Sequence, residues 1–175
     1  LITGGKGFIA GRLDKYLRQK GQKSVLVSRK KTTVTKKIDW NSQKKLNKLC
    51  ENINIIINCA GLDSHGCKSL SNAIKANSSN PLKLFKAENK NNVKLFIYIS
   101  TFHVYKLNQK NINEKSELNK NSIYTKSKII GEKNLLKFNN PKTKVIILRV
   151  CNLFGYPYYE NKNCWNLLIN SIVKE

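Results

Sequence analysis

Short apolar runs alternate with amphipathic stretches along most of the chain. The apolar runs predict strands at the start of the chain and at residues 24–28, 32–38, 53–58, 93–100 and 144–149. Helical periodicity predicts helices at 7–20, 44–50, 69–89 (interrupted near Pro81), 122–138 (with Asn121 or Ser122 as N-cap) and 167–173. Strands that alternate with helices form right-handed βαβ units and a parallel sheet.

A glycine-rich turn follows the first predicted strand and opens the first predicted helix. It has the pattern Gly5-x-Gly7-x-x-Ala10, which fits G-x-G-x-x-G/A in the strand–turn–helix context that this motif requires. Glycines allow a tight turn and a close backbone approach, and the helix N-terminus offers free N–H groups to a phosphate. An ordinary turn without a ligand is the alternative. The cofactor-binding residues predicted here are Gly4, Gly5, Lys6, Gly7, Phe8 and Ile9.

With this turn in place, the sequence predicts an α/β fold. We expect a single domain over residues 1–175, with a doubly wound Rossmann-type parallel sheet and helices on both faces. The chain contains no methionine, and Leu1 enters an apolar run without a preceding turn. We therefore expect a fragment that lacks the start of its first strand.

Basic residues follow the second predicted strand, where an NAD-binding fold places an acidic residue for the ribose hydroxyls. The sequence there reads Ser28, Arg29, Lys30, Lys31, and no Asp or Glu occurs between Asp14 and Asp39. A carboxylate repels a 2′-phosphate, whereas arginine matches it with two hydrogen bonds. The sequence therefore predicts NADP(H), with Ser28, Arg29 and Lys30 as binding residues. NAD(H) remains the alternative, because basic residues are common throughout this chain.

Tyr124 and Lys128 lie four residues apart and share a face of the long predicted helix. A nearby ammonium favours the phenolate, which lets a tyrosine act as acid or base closer to neutral pH. The spacing alone is weak, because lysine is so frequent that other tyrosines share it. The context is stronger, since the helix follows a buried strand that ends in Ser100 and Thr101.

Composition limits the other function classes. The chain has 175 residues, 40% of them hydrophobic, and no run long enough for a membrane span. Its five scattered cysteines lack metal-ligand spacing, so we expect no metal, free thiols and a cytoplasmic location. The net charge of +23 is spread along the chain together with abundant Asn and Ile, a composition typical of AT-rich coding sequence. Nucleic-acid binding is therefore a minor alternative.

Five motifs resemble the extended short-chain dehydrogenase/reductase family, the NAD-dependent epimerase/dehydratase group that acts on nucleotide sugars. They occur in the family's order and near its spacing: TGGKGFIA (3–10), NCAG (58–61), YISTFHVY (98–105), YTKSK (124–128) and LRVCNLFG (148–155). Together these motifs extend over most of the chain, from residue 3 to residue 155. The resemblance implies hydride transfer to or from a nicotinamide cofactor on a nucleotide-sugar substrate. It also implies a substrate domain, of which residues 156–175 are only the start.

The resemblance also implies roles for single residues. Tyr124 is the expected catalytic acid/base, and Lys128 is expected to bind the nicotinamide ribose and to lower the tyrosine pKa. Thr101 is expected to bind the substrate hydroxyl or carbonyl, and Asn77 to support the active site. Further residues implied to contact the cofactor are Asp39, Trp40, Cys59, Ala60, Gly61 and Ser100; His103 and Asn152 are implied on the substrate side.

Two departures from the family pattern narrow the implied reaction. Phe102 and His103 stand where the sugar 4,6-dehydratases carry an Asp-Glu pair for the elimination. We therefore expect a 4-epimerase, a 4-keto reductase or a related oxidoreductase, although a structural histidine at a strand end is an alternative reading of His103. A catalytically inactive cofactor-binding protein is the alternative function. A homodimer that pairs through residues 78–90 and 122–138 is also implied.

Overall fold

Parallel strands form one six-stranded sheet in the part of the chain that the computed structural model describes: residues 1–88, 91–138, 142–159, 169 and 172. The spatial order is β3-β2-β1-β4-β5-β6, the doubly wound order with a switch point between β1 and β4. The strands are β1 (Ile2–Thr3), β2 (Leu26–Ser28), β3 (Lys36–Lys37), β4 (Ile55–Asn58), β5 (Leu95–Thr101) and β6 (Lys144–Val150). The predicted Rossmann-type sheet is confirmed.

Five α-helices connect these strands in the described residues. They are α1 (Phe8–Gln19), α2 (Gln43–Leu49), α3 (Leu70–Ile74), α4 (Asn80–Glu88) and α5 (Ile123–Lys137). Ser122 is the N-cap of α5, because its hydroxyl accepts from the amide of Thr125 at 3.1 Å and the Thr125 hydroxyl accepts from the amide of Ser122 at 3.3 Å. Of the predicted helix 167–173, only Ile169 and Ile172 lie within the described residues. None of the described helices is both long and apolar enough to cross a bilayer.

The helices cover both faces of the sheet, as predicted. On one face, Leu13 and Leu17 of α1 pack against Ile2, Leu26 and Ile57. On the other face, α2, α4 and α5 bury a larger cluster that includes Leu46, Phe85, Leu135, Phe96 and Tyr98. Ile56 of β4 and Phe96 and Tyr98 of β5 belong to the larger cluster, whereas Ile57 of β4 packs against the smaller one, so β4 is apolar on both faces.

The predicted third strand is shorter than expected. Only Lys36 and Lys37 pair with β2, whereas Thr32 to Thr35 form a turn. The Thr32 hydroxyl accepts from the amides of Val34 and Thr35 at 3.3 and 3.0 Å. The strand was predicted from the β-branched residues of this segment. Their strand propensity is outweighed by local hydrogen bonds between the Thr32 hydroxyl and the backbone.

The predicted interruption near Pro81 lies just before it, as a π-helical turn over Lys75–Ser79. Proline has no N–H group, so Pro81 cannot donate to the carbonyl of Asn77 four residues earlier. That carbonyl instead accepts a hydrogen bond from the Tyr98 hydroxyl at 2.5 Å. The proline thus frees a buried acceptor that joins this segment to β5.

We expect Gly131→Ala to lower the free energy of unfolding by about 2 kcal/mol, because overpacked positions typically cost 1–3 kcal/mol. A Cβ at Gly131 of α5 meets the Asn77 carbonyl and lies 2.8 Å from the Tyr98 hydroxyl. Urea denaturation measures the difference. Lys133→Ala, at an exposed position of the same helix, is the control. Unchanged or increased stability of the Gly131 variant contradicts this packing.

Candidate active site

The glycine turn lies where β1 and β4 meet, at the carboxyl ends of the strands. Gly4 has a φ of +75°, and a Cβ there comes within 2.9 Å of the Ala60 amide nitrogen. A Cβ at Gly5 lies 2.7 Å from the Leu26 side chain, and one at Gly7 lies 3.0 Å from the Gly4 carbonyl. The turn therefore requires glycine at Gly4 for conformation and space and at Gly5 for space, and a side chain at Gly7 would be tightly packed.

Polar side chains fasten the glycine turn to the loop after β4. The Thr3 hydroxyl donates to Asn58 Oδ1 at 2.9 Å and accepts from the Ala60 amide at 3.0 Å. Asn58 Nδ2 donates to the Ala60 carbonyl at 3.2 Å. The predicted residues of the two loops, Gly4 to Ile9 and Cys59 to Gly61, therefore meet at one edge of the sheet.

The N-terminus of α1 suits a phosphate group. Gly7 is its N-cap and makes no side-chain capping hydrogen bond, and the first turn of α1 holds no acidic residue. Its first amides therefore have no intrahelical or side-chain acceptor, and the helix dipole favours an anion there. The backbone around Gly4, Gly5 and Gly7 leaves no room for side chains, which permits the close approach that a pyrophosphate needs.

The basic segment after β2 is exposed at Arg29, Lys30 and Lys31. Ser28, by contrast, is buried, and its hydroxyl donates to the Lys30 carbonyl at 2.5 Å and pairs with the Thr35 hydroxyl at 2.9 Å. Ser28 therefore stabilises the turn that contains Arg29, Lys30 and Lys31. With no carboxylate between Asp14 and Asp39, this edge presents positive charge.

Asp39 and Trp40 follow β3, farther along the same edge. Asp39 forms an ion pair with Lys45 at 3.0 Å and accepts from the Asn41 amide at 3.1 Å. These bonds, with that from Lys45 the larger cause, hold the pKa of Asp39 below its usual value. The Trp40 side chain packs against the main core cluster. Their contact with the cofactor stays a prediction.

Tyr124, Lys128 and Thr101 meet at the end of β5, as predicted. The Thr101 side chain lies close enough to the Tyr124 hydroxyl to act on its pKa. The Lys128 ammonium donates to the Ile99 carbonyl at 2.9 Å and lies 6.0 Å from the Tyr124 ring centroid. Burial lowers the pKa of Lys128 to about 8.

The expected lowering of the Tyr124 pKa is not found. Burial raises the pKa of Tyr124 above its usual value and outweighs the effect of the nearby Thr101 side chain, which acts in the opposite direction. The lysine is close to the ring, but its ammonium is directed to a backbone carbonyl.

Asn77 braces the site from the π-helical turn. Its Oδ1 accepts from the Leu62 amide at 2.8 Å, and its Nδ2 donates to the Leu62 carbonyl at 3.1 Å and to the Ser127 hydroxyl at 2.9 Å. A Cβ at Gly61 comes within 2.6 Å of Asn77 Oδ1 and 3.3 Å of Lys128 Nζ. Asn77 thus joins the loop after β4 to α5, and its role in supporting an active site stays a prediction.

Three predicted residues have other surroundings. Ser100 is buried and donates its hydroxyl to Glu132 of α5. His103 is exposed in the 3₁₀ turn Phe102–Val104, and Asn152 is exposed after β6. The predicted cofactor contact of Ser100 and the substrate contacts of His103 and Asn152 stay predictions.

Sequence reasoning missed several residues that line this site. Cys67 is buried against Asn77, whose Nδ2 donates to its sulfur at 3.7 Å, and burial raises its thiol pKa. Tyr98 places its ring 5.0 Å from the Lys128 ammonium. Glu132 has a signal in the sequence, because it lies four residues beyond Lys128 and eight beyond Tyr124, on the same helix face.

We expect the free energy of unfolding to rise with pH, because Lys128 loses its proton at a lower pH in the folded chain than in the unfolded chain. Its pKa is about 8 in the folded chain and about 10.4 unfolded, so between these values the unfolded chain binds more protons. Relative to Lys128→Met, the wild-type protein should gain about 2 kcal/mol between pH 7 and pH 10. Urea denaturation across this range measures the gain. Lys126→Met, at an exposed position of α5, should show no such trend; a constant difference for Lys128→Met contradicts the lowered pKa.

Comparisons with known proteins agree with this geometry. The family model "NAD dependent epimerase/dehydratase family" matches residues 1–175. A dTDP-D-glucose 4,6-dehydratase of Dictyostelium discoideum is 32% identical over 98% of this chain and 48% of its own length. The chain thus spans about half of this curated relative.

Solved structures share the fold. MoeE5 in complex with UDP-glucose and NAD has a TM-score of 0.84 at 22% identity, over 99% of this chain and 59% of that protein. The UDP-N-acetylglucosamine 4-epimerase of Bacillus cereus has a TM-score of 0.82 at 21% identity, over 97% of this chain and 64% of that protein. Because the family model matches the whole length of this chain, the chain belongs to the NAD-dependent epimerase/dehydratase family.

Proposed function

We propose that this protein is an NAD(P)-dependent oxidoreductase of the epimerase or reductase type that acts on a nucleotide sugar. The observation that carries the proposal is the meeting of Tyr124, Thr101 and Lys128 beside the glycine turn. The printed names of the relatives, which include sugar-nucleotide epimerases and a dehydratase, support the substrate class.

The described residues fit a dinucleotide cofactor. The glycine turn and the uncapped start of α1 would hold the pyrophosphate, and Arg29 and Lys30 would hold a 2′-phosphate. Lys128 would bind the nicotinamide ribose. When bound, the nicotinamide supplies hydride transfer.

The chain's own groups handle the proton. Tyr124 takes the proton from a substrate hydroxyl or returns it to a carbonyl oxygen, and Thr101 hydrogen-bonds the same oxygen. Lys128 is protonated below its pKa of about 8, and for this step its ammonium, 6.0 Å from the Tyr124 ring centroid, would have to stabilise negative charge on the phenol oxygen. Because burial raises the pKa of Tyr124, this charge is needed for the tyrosine to act as a base.

A 4,6-dehydration is not part of the proposal. Phe102 packs against the Tyr105 ring at 5.6 Å between centroids, and His103 is exposed. Neither position supplies the carboxylate that the dehydratase pattern places there. The curated relative is a dehydratase by name, so dTDP-glucose dehydration is the reaction against which the proposal should be tested.

Two further properties belong to the proposal. A homodimer through α4 and α5 is supported by exposed apolar side chains near the end of α5, Leu136 and Phe138. A cytoplasmic location is supported by the scattered cysteines and the absence of disulfide spacing in the sequence.

We expect Tyr124→Phe in the intact protein to lose at least a hundredfold in turnover, because general acid–base catalysis contributes about 10²–10⁴-fold. Cofactor affinity should stay within about twofold. Turnover is measured with a panel of UDP- and dTDP-hexoses, and affinity by cofactor fluorescence. Tyr16→Phe, at an exposed position of α1, is the control. Full activity of Tyr124→Phe refutes the assignment, and absence of turnover in the wild type favours an inactive cofactor-binding protein.

We also expect NADPH to bind more tightly than NADH. Arg29→Ala should weaken NADPH binding about tenfold and leave NADH binding unchanged, because only NADPH carries the 2′-phosphate. Fluorescence titration of both cofactors measures this, with Lys23→Ala, exposed before β2, as the control. Tighter binding of NADH by the wild type shows that the basic segment does not select the cofactor.

A further inference from the structure

A stripe of three polar residues on α5 faces the end of β5. Tyr124, Lys128 and Glu132 are spaced by four, so they lie above one another on one helix face. Their partners are three consecutive residues of the strand. Lys128 donates to the Ile99 carbonyl at 2.9 Å, Glu132 accepts from the Ser100 hydroxyl, and Tyr124 lies beside Thr101.

Glu132 is the member of this stripe that the proposed chemistry does not use. Its side chain is 4% exposed and pairs with Arg149 of β6, whose Nη2 donates to Oε2 at 2.6 Å and whose Nε lies 3.2 Å from each carboxylate oxygen. The Arg149 guanidinium lies 4.8 Å from the Tyr105 ring centroid and donates to the Glu114 carbonyl at 3.2 Å. One carboxylate therefore joins α5 to β5, to β6 and to the segment after β5.

We propose that Glu132, held by Arg149, is a positioning residue. It fixes the register of α5 on β5 and favours the protonated form of Lys128 beside Tyr124. The proposal deepens the proposed function, on which its catalytic meaning rests. The register argument is geometric. If α5 slid by one residue along β5, Tyr124 would leave Thr101, and the buried carboxylate would lose its partners at high cost.

The electrostatic argument depends on which neighbours of Lys128 are ionised. The titratable groups around its ammonium are Cys59 and Cys67 of the loop after β4, Tyr98 of β5, and Tyr124 and Glu132 of α5. Burial raises the pKa of Cys59 to about 12 and that of Cys67 above its usual value, and both tyrosine pKa values are raised as well. Glu132 is the member of this set that forms an ion pair, with Arg149 at 2.6 Å. Its charge raises the pKa of Lys128 and so opposes the lowering by burial.

The test measures Lys128 directly in the intact protein without ligand. Carbon-13 NMR of labelled lysine side chains follows each pKa, and Lys128→Arg identifies the Lys128 signal, which should titrate near 8. We expect Glu132→Gln to lower the Lys128 pKa by about one pH unit, because it removes the carboxylate and leaves the Arg149 charge. The double variant Glu132→Gln, Arg149→Met buries no unpaired charge and should lower the pKa by less.

Asp14→Asn is the matched control. Asp14 is also a buried carboxylate paired with an arginine, Arg18 at 3.0 Å, but it lies on α1. The Asp14→Asn variant should be less stable than the wild type, but its Lys128 pKa should be unchanged. A Lys128 pKa that stays at the wild-type value in the folded Glu132 variants overturns the proposal. So does failure of both Glu132 variants to fold where Asp14→Asn folds, since Glu132 would then serve the fold alone.

A second readout separates this inference from the proposed function. NADPH titrations from pH 6.5 to 8.5 should show that Glu132→Gln loses affinity at a lower pH than the wild type, following Lys128. If the Lys128 pKa moves as expected but neither protein binds NADPH or NADH, the positioning role stands and the proposed function fails. If both bind with the same pH profile although the Lys128 pKa has moved, the cofactor does not depend on Lys128 and its assigned role is wrong.

Discussion

The close approach of α5 to the π-helical turn is the constraint on which the rest of the site depends. It begins with Pro81, whose missing N–H leaves the Asn77 carbonyl without a helical donor. The Tyr98 hydroxyl takes that place at 2.5 Å, and Gly131 lets α5 pass directly over it. The approach buries Lys128 and puts Asn77 within reach of Ser127. The close approach at Gly131 thus accompanies the burial of Lys128.

Carboxylates are scarce in this chain, with 10 against 33 basic residues, and the buried ones serve as joints. Among the described residues, Asp14 and Glu132 are buried. Asp14 accepts from Arg18 and Ser24, and the Tyr159 hydroxyl lies 3.4 Å away, so it links α1 to the segment after β6. Glu132 links α5 to β5 and β6. A buried carboxylate with several donors holds elements in a defined geometry, which an apolar contact alone specifies less strictly.

The sequence predicted the order of elements, the parallel sheet and the meeting of Tyr124, Lys128 and Thr101, because these depend on local periodicity and on where strands end. The sequence-based predictions were wrong where a local polar contact or a residue distant in the sequence determines the local structure or the pKa. The Thr32 hydroxyl turned a predicted strand into a turn. The raised pKa of Tyr124 depends on burial under the assembled loops, and periodicity carries no information about that.

The two halves of the site are built by opposite means. The glycine turn, where we propose that the cofactor binds, depends on missing side chains, since Gly4, Gly5 and Gly7 leave the backbone accessible. The part around Tyr124, where we propose that proton transfer occurs, depends on buried polar side chains that hydrogen-bond to one another, from Asn77 to Glu132. A substitution in the first half acts by filling space, whereas one in the second leaves a buried group unpaired. Cofactor affinity and proton transfer should therefore respond to different kinds of substitution, even though both halves meet at the ends of β4 and β5.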